Sequence, residues 1–173
     1  IGWAGDFAEG VMRDWPEWSW ANSGGVVDPA QPNVFPGASA NSAEDAKRGR
    51  LAAHMVWSLA PDEALIVEMP AHDGFWMFGM GGATVGSLDF LYRQVSMTPA
   101  RAAVDDDGVL RLVLAHDDPG VANWLDTQGF ASGNLTYRNL LSQSPANIAT
   151  RLVKRADLMV ALPADTAMVT PQQ

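Results

Sequence analysis

The chain has no cysteine, which excludes disulfides, thiolate metal sites and a cysteine nucleophile. Basic residues are scarce as well. Eleven Lys plus Arg face 20 Asp plus Glu, for a net charge of −9. Such a field repels phosphate backbones and anionic headgroups, so neither a nucleic-acid partner nor a membrane-surface role is expected. No apolar run approaches the ~20 residues needed to span a bilayer, so no membrane span is expected. Histidine is limited to His54, His72 and His116. The lack of cysteine does not fix a compartment, and localisation stays open.

What is present suits a globular fold. Hydrophobic residues make up 47% of the 173 positions and charged ones 18%, enough for one domain with a sizeable core. The chain opens at Ile1 without a signal-like segment, which reads as a fragment or processed form of a longer protein. Trp3, Trp15, Trp18 and Trp20 crowd a lead-in whose residues 6–14 have helical spacing. A Gly-, Pro-, Ser- and Asn-rich stretch from Asn22 to Ala40 reads as an irregular loop. Ser42 is placed to cap a short helix with Glu44 and Asp45 in its first turn.

From there the pattern turns to strands. Residues 54–59 and 64–69, joined by Ala60-Pro61-Asp62-Glu63, predict a hairpin. A strand over 74–80 follows, then a flexible break at Gly79-Met80-Gly81-Gly82, then a strand over 90–97. Asp105-Asp106-Asp107-Gly108 is the cleanest turn and leads into a strand at Val109. Strands over 134–142 and 148–154 and a short helix over 156–162 complete the pattern. The expected fold is mainly β: an antiparallel, jelly-roll-like β-sandwich with short N-terminal helices and a short C-terminal helix. Residues 1–58 form the lead-in and 59–171 the sandwich, within one domain spanning 1–173.

Chemistry-bearing residues concentrate in Leu114 to Asp126, LAHDDPGVANWLD. His116, Asp117 and Asp118 are the best acid–base set in the chain, for a hydrolase or lyase with His116 as base or acid. Neighbours on a strand point different ways, so at most two of them can converge on one ion; neither a metal nor a cofactor is expected. Asp118 before Pro119-Gly120 also has a structural use, since its carboxylate can accept from turn amides. Asn123 and Trp124 are candidate ligand contacts, with Trp76 as a second aromatic one. Arg93 and Arg138 lie in apolar strands and Arg111 alternates with leucines. Asp89 and Asp126 are candidate partners for such an arginine, in a structural clamp or an anion site. The acidic turn at 105–108 lacks the closing Glu of a calcium loop, and the glycines at 79–82 lack the helix of a dinucleotide fingerprint.

Several blocks together resemble a known family. Pro61-Asp62-Glu63-Ala64-Leu65-Ile66-Val67, Phe75-Trp76, Ser87-Leu88-Asp89-Phe90 and His116-Asp117-Asp118-Pro119-Gly120 are four of them. Asn123-Trp124-Leu125-Asp126-Thr127 and Leu162-Pro163-Ala164-Asp165-Thr166 with Val169-Thr170-Pro171 are the others. Over about 59–171 the chain resembles the bacterial domain of unknown function 1214 family, in its actinobacterial form. The resemblance implies a β-sandwich, often preceded by a companion domain, and an arginine at the position of Arg138. It implies no reaction and no cofactor. Members usually carry a basic residue where Asp117 stands.

These observations favour a binding or accessory module acting on a small molecule, a glycan or a protein partner. An enzyme built on His116 with Asp117 or Asp118 is the alternative, and a structural subunit of a homo-oligomer is a third reading.

Overall fold

The computed structural model describes residues 31–40, 42–82, 86–140 and 147–169, with Gly2, Gly5, Asp6, Ala8 and Glu9 near the start. Trp3, Trp15, Trp18 and Trp20 and the first part of the Asn22–Ala40 loop lie outside these residues. Of the expected N-terminal helix, Asp6, Ala8 and Glu9 are helical and exposed.

Helix α1 (Ala43–Lys47) starts where the sequence calls for it: the Ser42 hydroxyl accepts from the Asp45 amide at 3.0 Å. It stops at Lys47, and Gly49 follows with φ +60, a left-handed value that glycine adopts freely. The strands are β1 (Leu51–Ser58), β2 (Glu63–Pro70), β3 (Phe75–Gly82), β4 (Ser96–Met97), β5 (Val109–Ala115), β6 (Trp124–Asp126), β7 (Ser132–Leu140) and β8 (Ala149–Lys154). Helix α2 (Leu158–Ala161) follows a 3-10 turn at Arg155–Asp157.

The strands build two four-stranded sheets, ordered β1-β7-β3-β4 and β6-β5-β2-β8. The protein is a mainly β sandwich, and its pairs are antiparallel except β5 with β6, which run parallel. Met55, Trp57, Leu65, Val67, Phe78, Leu112, Leu114, Leu135 and Tyr137 fill the space between the sheets, all at most 1% exposed. A large apolar side chain buried this way contributes about 1.5–3 kcal/mol, so this layer is the main source of stability. Ala64, Ile66, Val113 and Ala115 face outward from the second sheet, where Leu158 and Leu162 cover them. α2 ends as Pro163 forces Leu162 into an extended conformation.

Three expectations are corrected. β1 and β2 are not a hairpin: β1 pairs with β7 along its whole length, and both edges of β2 are taken, by β5 and β8. Ala60–Glu63 does turn, with the Glu63 amide on the Ala60 carbonyl at 3.0 Å. The turn carries the chain from one sheet to the other instead of folding it back. Sheet pairing thus begins upstream of residue 59, and Ser39 bridges to Ala52.

The second correction is at 79–82, which is no flexible break, because β3 runs on through Gly82. A Cβ on Gly81 would stand 2.6 Å from Asn134 Nδ2, so this glycine serves close packing. The third concerns residues 90–97, of which only Ser96–Met97 is strand. Asp89 Oδ1 accepts from the amides of Leu91 and Tyr92 at 3.1 and 3.2 Å, and that turn overrides the apolar alternation.

Candidate binding surface at one end of the sandwich

The segment that begins at His116 leaves β5 at one end of the sandwich. His116 is partly buried and its Nδ1 lies 2.7 Å from the Thr127 hydroxyl. Asp118 Oδ1 accepts from the Gly120 amide at 2.7 Å, closing the turn that Pro119-Gly120 predicts, and Gly120 has φ +80. Asp117 and Asp118 are both exposed. Among the described residues no group of three His, Asp or Glu side chains is placed to hold a metal ion.

Asn123 is a structural clamp. Its Nδ2 donates to the carbonyls of Ala103 at 2.7 Å and Arg111 at 2.9 Å, and its Oδ1 accepts from the Ala103 amide at 2.9 Å. With the residue 7% exposed, those bonds tie the chain before β5 to the chain before β6. Trp124 donates its indole N–H to the Ala115 carbonyl at 3.1 Å and packs against the apolar layer under α2. Arg93 meets Asp126 at 2.9 Å, one of the two partners expected for it; the carboxylate is 2% exposed. Trp76 is corrected as a ligand contact. It is 2% exposed inside the sandwich, edge-on to Phe78 at 6.0 Å. Arg138 is exposed on the outer face of the first sheet, apart from these groups.

What the structure adds at the His116 end is an apolar ridge. Phe90, Leu91 and Tyr92 are 66, 73 and 86% exposed, and Phe130 is 51% exposed. The turns that carry them are bound to each other. The Asp89 amide donates to Gln128 Oε1 at 3.2 Å, and Gln128 Nε2 returns a bond to the Asp89 carbonyl at 3.1 Å. Asp126 Oδ1 accepts from the Gln128 amide at 2.7 Å, and the Asp126 amide donates to the Gln94 carbonyl at 2.8 Å. The Gln94 side chain reaches the carbonyls of Ala122 and Trp124. Residues 89–94 are therefore stitched to 122–128, and the exposed rings stand on a fixed support. Alternation hid this feature from the sequence reading. The signal that could have found it is Asp89 itself, a turn-forming residue directly ahead of Phe-Leu-Tyr.

Two other polar sites are set by burial. His54 Nδ1 lies 3.0 Å from the Thr136 hydroxyl. Its burial, with Arg138 nearby as a lesser cause, lowers its pKa to about 4. Tyr137 is fully buried, and its hydroxyl lies 2.9 Å from His72 Nε2. Burial pushes this phenol up to about 12, opposed by the neighbouring Asn139 side chain.

No family model matches the sequence, and no curated protein does. Over 82% of its length the chain is similar to a solved structure of an uncharacterised protein from Burkholderia cenocepacia, with 27% identity and a TM-score of 0.68. It spans 39% of that protein's length. A solved protein from Vibrio parahaemolyticus matches 60% of the chain and 31% of its own length, with 15% identity and a TM-score of 0.43.

Proposed function

We propose that this chain is a binding module that docks on another protein through Phe90, Leu91, Tyr92 and Phe130. The observation that carries the reading is the combination of exposure and fixation: apolar side chains 51 to 86% exposed, on two turns joined by the reciprocal Asp89–Gln128 bonds. Single exposed apolar residues are ordinary on protein surfaces, whereas a contiguous patch marks an interaction site. Burying such surface stabilises a complex by about 25 cal/mol per Å² before the costs of association are subtracted. A support already ordered loses little entropy on binding, which keeps those costs low. Asp117 and Asp118, exposed at the same end, favour a partner whose apolar patch has a basic rim.

A companion domain of a longer protein suits this role, since the chain spans 39% of its Burkholderia neighbour. Membership of the domain of unknown function 1214 family and a jelly-roll-like sandwich belong to the same proposal. The division into two four-stranded sheets is the feature in common with a jelly roll, and the parallel β5–β6 pair departs from it. An enzyme using His116 with Asp117 or Asp118 is the weaker reading. His116 Nδ1 is taken by Thr127 and Asp118 Oδ1 by the Gly120 amide, and neither bond joins the histidine to a carboxylate.

The test is site-specific photo-crosslinking in the native host, with a photoreactive phenylalanine analogue replacing Tyr92. The same analogue at Val160, 89% exposed on α2, is the surface control. The expected result is a discrete crosslinked protein from position 92 that is absent from position 160 and disappears when Phe90→Ser and Leu91→Ser are added. Equal patterns from both positions, or none from either, would refute docking through the ridge.

A further inference from the structure

A second feature, independent of the ridge, lies on the outer face of the first sheet. Strand alternation sends Ala52 and His54 of β1, Arg138 and Leu140 of β7 and Met77 of β3 to that face, with Ala52 and Met77 both opposite Arg138. Next to Arg138 is a cavity of about 200 Å³, lined by Ser39, Asp45, Arg50, Ala52, Arg138 and Leu140 among others. Arg50 contacts Asp45 Oδ1 at 3.4 Å, and the other oxygen of that carboxylate takes the Ser42 hydroxyl at 2.8 Å. Asp45 is thus occupied by its helix cap, Ser42, and by Arg50 beyond the helix. The Arg138 backbone is paired in the sheet, but its guanidinium has neither a hydrogen bond nor an ion pair among the described residues. Its charge is nonetheless felt locally, as one of the two causes that lower the pKa of His54.

We infer that this cavity is a binding site for a small organic carboxylate, held by Arg138 with its alkyl chain against Ala52 and Leu140. A guanidinium offers two parallel N–H groups that match a carboxylate, and Arg138 has both to spare. Leu140, 40% exposed, supplies an apolar wall open to solvent. The volume falls below the roughly 300–1,000 Å³ of sites for drug-sized ligands, so the ligand is an acid of a few carbons. Binding is weak, with Kd on the order of 1 mM, because a ligand of so few atoms has little contact energy to set against the cost of association.

The test is an NMR titration of the full chain with sodium butyrate, with sodium chloride and inorganic phosphate as controls. Saturable shifts are expected at the amides of Ala52, Arg138 and Leu140, with butyrate at least tenfold tighter than phosphate. Arg138→Gln should weaken butyrate at least tenfold, and Arg138→Lys should fall between because it keeps the charge and loses the fork. Amides of the core that keep their positions confirm that both variants fold. Shifts that do not saturate by 50 mM butyrate, or that persist unchanged in Arg138→Gln, overturn the site. Phosphate binding as tightly as butyrate overturns the assignment to an organic acid.

Discussion

Arg111 Nη1 meets Asp105 Oδ2 at 2.6 Å, and the two side chains are only 11 and 4% exposed. The same guanidinium reaches Asp107 Oδ2 at 2.6 Å and Glu68 Oε1 at 2.9 Å. Three carboxylates around one arginine lock the 105–108 turn to β5 and β2. The Asp107 bond does most to raise the guanidinium's pKa further. Removing the arginine strands the Asp105 carboxylate in a buried place, and breaking such a pair costs about 3–5 kcal/mol. Arg111→Met should therefore lower Tm by roughly 10 °C in a thermal unfolding scan. The double variant with Asp105→Asn should lose less than the two single changes added together, because the stranded charge is gone. A single-variant loss under about 1 kcal/mol would show that the cluster is mere surface pairing.

His54 gives stability a dependence on acid. Its pKa is about 4 in the folded protein against 6.5 for an ordinary histidine, chiefly because it is buried. The folded state therefore resists a proton that the unfolded state accepts. The stabilisation is complete above pH 6.5, falls as pH drops toward 4, and levels off below that. Discounted for the solvent that still screens the ring, the loss is about 2 kcal/mol. His54→Gln should flatten the dependence between pH 4 and 6.5 in denaturant midpoints, keeping the bond to Thr136 in reach. An unchanged slope in that variant would assign the acid sensitivity to carboxylates instead.

Local signals were legible in the sequence and long-range pairings were not. The Ser42 cap, the Asp118-Pro119-Gly120 turn, the indole bond of Trp124 and the Arg93–Asp126 pair each follow from side-chain chemistry within short reach or from a strand arginine's need for a carboxylate. The partner of a strand is another matter. β1 and β2 have the pattern and connecting turn of a hairpin, yet the same pattern suits strands that face each other across a sandwich core. Only the full set of pairings, β1 with β7 and β2 between β5 and β8, distinguishes the two. The Phe90–Tyr92 ridge was missed for the opposite reason. Period-two alternation made residues 90–97 read as one strand, although Asp89 carried the local turn signal.

Gly133 shows the same limit at atomic scale. It stands in β7 opposite Trp57 of β1 and Gly82 of β3. Trp57 is fully buried, and its indole N–H donates to the Asn134 carbonyl at 3.1 Å, which draws the ring across the backbone of residue 133. A Cβ at 133 would lie 2.4 Å from the Gly81 carbonyl oxygen and 2.7 Å from Trp57 Cζ2. One neighbour is backbone of an adjacent strand and the other a fully buried ring, so neither moves without cost. Gly133→Ala should destabilise the fold by about 3 kcal/mol, at the upper end of overpacking changes, read as a fall in denaturant midpoint. Trp57→Leu alone should also destabilise, by emptying part of the core. The two together should cost clearly less than their sum, since the smaller side chain clears space for the new methyl. Strict additivity would place the strain at the Gly81 carbonyl alone and remove Trp57 as the reason for a glycine at this position.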